Sequence, residues 1–124
     1  MSNRTPLSVD ALLALEAGAL GAAILDATGR QARILTDYVS ECDWVSSIHR
    51  SVFDAIRRLV ARELLPLEYA SVISELQAMG VLQSYNNGYY LVSSLGEGVV
   101  LTRAMTKRIA ELRRVWKQRK EALA

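Results

Sequence analysis

The chain has 124 residues, of which 51% are hydrophobic and 23% charged, with a formal net charge of +2. That balance suits one compact domain with a real core and excludes global disorder, and so small a charge points by itself to no particular partner. The single cysteine, Cys42, excludes an internal disulfide framework and a cysteine-rich zinc site.

Residues 1–5 read as a loose terminus. Ser8 is suited to cap a helix over 7–17, with Asp10 favourable in its first turn and Gly18 able to end it. The apolar run 11–25 is broken by Glu16 and is too short to span a bilayer. Arg4 ahead of it does not make a secretion signal of this Ala- and Gly-rich run, so a cytoplasmic location is expected. Gly18 and Gly21 disfavour a helix interior, and Asp26-Ala27-Thr28-Gly29 is a compact turn. Residues 30–36 partly alternate polar and apolar, so 19–36 is read as a β-hairpin, although periodicity alone leaves a helix open.

Asp43 then caps a long amphipathic helix predicted over 43–65. Val45, Ile48, Val52, Ile56, Leu59 and Val60 form its apolar stripe, and Arg50, Asp54, Arg57, Arg58 and Arg62 fall away from it. Pro66 stops it, because proline disfavours helical geometry in the residue before it. Residues 67–79 form a helix-like insert ending at Gly80. The segment 81–104 reads as a three-stranded meander. Its first strand is Val81, Leu82, Gln83, Ser84 and Tyr85; Asn86-Asn87-Gly88 and Gly96-Glu97-Gly98 supply the two turns. A basic helix over 105–123 closes the chain, with Met105, Ile109, Leu112 and Trp116 as its apolar seam.

No catalytic constellation is visible. His49 is the only histidine and has no spaced carboxylate or cysteine partner, so it reads as a surface or packing residue. No nucleophile elbow or phosphate-binding loop is present, and Gly96-Glu97-Gly98 is too short for a dinucleotide fingerprint. Asp26 is explained by accepting backbone N–H bonds in its turn. No enzyme, metal site or cofactor is expected.

Two functional classes compete. Residues 62–82 resemble a helix-turn-helix leading into the wing of a winged-helix DNA-binding regulator. However, no Lys or Arg lies between Glu63 and Leu101, where the recognition helix and wing would fall. DNA binding draws its affinity from such cations, so nucleic acid is a disfavoured partner. The basic helix 105–123 is open to nucleic acid, an acidic partner or a membrane surface, and equally to plain solvation.

The second reading uses every predicted element in order. Residues 18–30, a small-residue strand running into Asp26-Ala27-Thr28-Gly29, and residues 88–101, with their Leu95-Gly96-Glu97-Gly98 turn, resemble the two outer hairpins of the Roadblock/dynein light chain family. That resemblance implies an α+β fold: a single αβα sandwich, with a five-stranded antiparallel sheet, one long helix on one face and two on the other. It implies a homodimer, or a heterodimer with a similar subunit, pairing through the edge strand Val81, Leu82, Gln83, Ser84 and Tyr85. It also implies a non-enzymatic adaptor or regulator of a small Ras-like GTPase, for which Arg50, Arg57, Arg58 and Arg62 are the candidate contact residues.

Overall fold

The computed structural model describes residues 8–85, 88–99 and 103–123, the side chains of Cys42 and Ser84 apart. Among them there are six α-helices and no strand: α1 Val9–Leu25, α2 Arg30–Tyr38, α3 Ser47–Ala61, α4 Tyr69–Ala78, α5 Gly88–Ser93 and α6 Met105–Leu123. Short 3-10 turns at Glu41–Asp43, Leu82–Ser84 and Ser94–Gly96 join them. The expected αβα sandwich is therefore wrong: the described chain is all-helical.

The first expected hairpin fails at α1. Ala19, Leu20, Gly21, Ala22, Ala23 and Ile24 are all buried, because α2, α3, α6 and the Ser94–Gly96 turn pack around this part of the helix. A helix covered on every side has no polar face, so it leaves no 3.6-residue signature in the sequence. Gly21 is also not a helix breaker here. A Cβ at that position would collide with the Leu95 carbonyl oxygen, so the glycine lets the 94–96 turn approach the α1 backbone. Asp26-Ala27-Thr28-Gly29 does reverse the chain, but between two helices. The Asp26 carboxylate accepts from the backbone N–H of Thr28 at 3.0 Å and of Gln31 at 2.8 Å. The bond from Gln31 thus satisfies a first-turn donor of α2 that has no partner within the helix. Gly29, at φ 73°, turns the chain into α2.

Ser8 caps α1, accepting from the Ala11 N–H at 3.1 Å. The long helix expected from Asp43 is shorter, because Ser46 is the cap of α3 and Glu41–Asp43 forms a separate 3-10 turn. Its buried face holds Val52, Phe53, Ala55, Ile56 and Leu59. The insert 67–79 contains α4, which buries Val72 and Leu76 and ends ahead of Gly80, at φ 72°.

The expected meander is replaced by the Leu82–Ser84 turn, α5 and the Ser94–Gly96 turn. The assumed edge strand of Val81, Leu82, Gln83, Ser84 and Tyr85 is no strand, so it presents no sheet edge for a partner subunit. Asn86 and Asn87 of the first expected turn, and 100–102 of the last expected strand, lie outside the described residues, as do residues 1–7. The glycines that suggested hairpins have other roles. A Cβ at Gly96 would strike the Tyr69 hydroxyl, and one at Gly88 would crowd Leu82.

In α6, the seam residues Met105, Ile109, Leu112 and Trp116 are all buried, joined by Val115. The start of α2 lies beside Arg103, Ala104 and Met105, and its end is reached by Arg113, so the two helices run side by side in the same direction.

Candidate functional site

The most constrained point of the molecule is Glu16, fully buried in the middle of α1. Its carboxylate accepts from the Val45 N–H at 2.8 Å, the Ser46 N–H at 3.3 Å, His49 Nδ1 at 2.8 Å and Trp116 Nε1 at 2.8 Å. Facing an ionised carboxylate, His49 must carry its proton on Nδ1. Burial pushes the Glu16 carboxyl up, but the hydrogen bonds from His49, Val45, Trp116 and Ser46 together outweigh it and hold the group below its ordinary value. Trp44 stacks into the same region, with its ring centroid 5.3 Å from those of both Phe53 and Trp116. Glu16 thereby ties α1 to the entry of α3 and to α6.

The sequence reading missed this centre. His49 does have a carboxylate partner, but the two stand 33 positions apart and no spacing rule links them. The available signal was Glu16 itself, since a lone carboxylate inside an apolar run must be buried with donors around it. The arrangement has no open position for a substrate, because each carboxylate oxygen is already engaged. It is a structural clamp.

The arginines expected to contact a partner lie along α3. Arg50 donates to the Trp44 carbonyl at 2.9 Å, bracing the Trp44–Ser46 entry. Arg57 pairs with Asp54 at 2.6 Å and Glu41 at 3.2 Å, and these carboxylates raise its guanidinium above its ordinary value. Arg58 Nε lies 3.4 Å from Asp54, and Arg62 pairs closely with Glu75 of α4. Three of the four cations are thus neutralised within the chain.

Helix α6 is different. Lys107, Arg113, Arg114, Lys117 and Lys120 are exposed. Arg113 donates to the neutral Tyr38 carbonyl. Among the described residues, none of these five is ion-paired, while Arg103, just ahead of the helix, pairs with Glu111.

A surface groove of about 680 Å³ lies between α1, the 94–99 segment and the start of α6. Ala11, Ala14 and Gly18 line its α1 side, Tyr90, Leu95 and Val99 the opposite side, and Arg103, Arg108 and Glu111 the α6 side. Burial, and then neighbouring Arg103, push the Arg108 guanidinium below its ordinary value, with Glu111 pulling the other way. Next to the groove, Tyr89, Tyr90 and Leu91 of α5 are exposed to solvent. A groove of mixed lining with exposed aromatic side chains nearby suits protein association.

The fold and surfaces define a small helical module whose buried ionisable centre holds helices together and whose outer faces carry charge and aromatic groups. The chain belongs to the family of DnaB-like helicase N-terminal domains, whose family model matches residues 10–113. Comparison with curated proteins and with solved structures gives no match. Membership of this helical family, together with the all-helical fold, overturns the Roadblock resemblance. With it go the Ras-like GTPase partner, the sheet-paired dimer and the winged-helix alternative. No helix among the described residues is long and apolar enough to cross a membrane.

Proposed function

We propose that this chain is a non-catalytic assembly module that works with a DnaB-like helicase in DNA replication, in the cytoplasm. The observation that carries the reading is the family match over residues 10–113, which is to the N-terminal domain of such helicases. The use of its one histidine supports it, since His49 is spent on Glu16 inside the core. So does the groove, together with exposed Tyr89, Tyr90 and Leu91, which gives the module a surface to present to another protein. The module would act by association, leaving ATP hydrolysis and strand separation to the helicase.

Size-exclusion chromatography with light scattering tests this. The chain is mixed with the DnaB-like helicase of the same cell, with and without the substitutions Tyr90→Ser and Leu91→Ser. Co-elution that those substitutions abolish is the expected result. Separate elution at every concentration, with no change in helicase ATPase rate, would rule the reading out.

A further inference from the structure

We propose that the exposed face of α6 binds single-stranded nucleic acid. This goes beyond helicase association and does not depend on it. Lys107, Arg114 and Lys117 stand at intervals of seven and three residues, and Arg113, Lys117 and Lys120 at intervals of four and three. On an α-helix both sets form rows, and the rows meet at Lys117. From Lys107 to Lys120 the helix rises about 20 Å, at about 1.5 Å per residue. That length lets the row face several successive phosphates of an extended strand.

The charges are presented to solvent. All five cations are exposed, and among the described residues none meets a carboxylate. The one acidic residue within this stretch is Glu111, which pairs with Arg103; Glu121 follows just beyond it. A phosphate chain carries its own condensed counterions, and an open cationic row releases them on binding, which supplies much of the affinity.

Tyr38 selects the single strand. It lies at the end of α2, beside the cationic row, with Arg113 donating to its carbonyl. It is 59% exposed, so its ring is open to solvent. A cationic track flanked by an open aromatic ring matches how unpaired strands are held: phosphates on the cations, a base stacked on the ring. A duplex keeps its bases stacked internally and cannot use the ring. An acidic protein could meet the cations but would gain less from the ring.

The test is fluorescence anisotropy on the full chain in 50 mM salt, using a labelled twenty-nucleotide oligo(dT), the same length of duplex, and poly-glutamate as probes. Oligo(dT) should bind with a Kd on the order of micromolar. The double variant Arg114→Glu, Lys117→Glu should weaken it about tenfold or more. Tyr38→Ala should weaken oligo(dT) about fivefold and leave the duplex unchanged. Arg57→Glu with Arg58→Glu on α3 should leave oligo(dT) affinity within about twofold, since those cations are already paired. Circular dichroism confirms that each variant is folded, and Lys117→Gln with Arg114→Gln replaces the reversal if it is not. Absence of binding to oligo(dT), or binding that α6 reversal leaves unchanged, overturns the proposal. So does equal or tighter binding of poly-glutamate, which assigns the face to an acidic protein. Tighter duplex binding with no effect of Tyr38→Ala overturns the single-strand assignment.

Discussion

Helices α3 and α6 both carry cationic side chains toward solvent, yet they are electrostatically unlike. On α3, Arg57 and Arg58 share Asp54, and Arg62 takes Glu75 of the neighbouring helix. On α6, Lys107, Arg114, Lys117 and Lys120 meet no carboxylate among the described residues. A count of cations along the sequence ranks the two helices together. What separates them is where the acids fall in space. Asp54 lies three and four residues before its arginines, within reach on the same face, while Glu75 comes from another helix. Cations neutralised within the chain have little left to offer a polyanion; open ones keep their full attraction.

The two faces share one support, and removing it should have the largest effect. Glu16 receives donors from the entry of α3 and from α6 at once. Glu16→Ala strands those donors in the core and should cost about 3–5 kcal/mol, read by urea denaturation. Loss of that size would disturb both faces together, whereas a loss confined to α6 would mean that α3 is anchored elsewhere.

The same clamp sets an acid limit. The folded pKa of Glu16 lies below its ordinary value of 4.5. Its contribution is therefore fully present above that value and is lost as pH falls through the folded pKa. A denaturation series from pH 7 to pH 3 should show stability falling at the acid end. In Glu16→Gln that part of the fall should be missing. A wild-type profile identical to that of Glu16→Gln would remove the carboxylate from the account of acid stability.

Much of the helical frame was legible. Met105, Ile109, Leu112 and Trp116 were readable as a buried seam because α6 has one covered side and one open side. Ser8 and Gly80 marked helix ends through local chemistry that needs no tertiary context. The fold class was not legible, because two local signals pointed to strands for non-local reasons. Residues 19–24 are buried all round, which erases helical periodicity, and Gly21 serves a close approach to Leu95 rather than a turn. Gly88 and Gly96 likewise answer to Leu82 and Tyr69, neighbours that the sequence does not reveal. The candidate surfaces divided in the same way. The basic row of α6 could be read directly, but the neutralisation of Arg62 by Glu75 and the proximity of Tyr38 to Arg113 needed the fold.

The smallest expected effect sharpens the comparison by making α3 resemble α6. Asp54→Ala with Glu75→Ala frees Arg58 and Arg62, and leaves Arg57 only Glu41, while removing surface pairs worth about 0.2–1 kcal/mol each. Stability should fall only slightly, and affinity for oligo(dT) should rise about two- to threefold through added cations. A fall in affinity would show that pairing does not decide what these faces bind.

The distinction between open and paired cations is tested most directly by the salt dependence of oligo(dT) affinity. It is measured side by side for the wild type, for Arg114→Glu with Lys117→Glu, and for Arg57→Glu with Arg58→Glu. If the five exposed cations of α6 each displace a counterion, the slope of log K against log salt should be about −3.5 in the wild type. It should be much shallower in the α6 variant and unchanged in the α3 variant. Equal flattening by both variants, or a wild-type slope near zero, would contradict it.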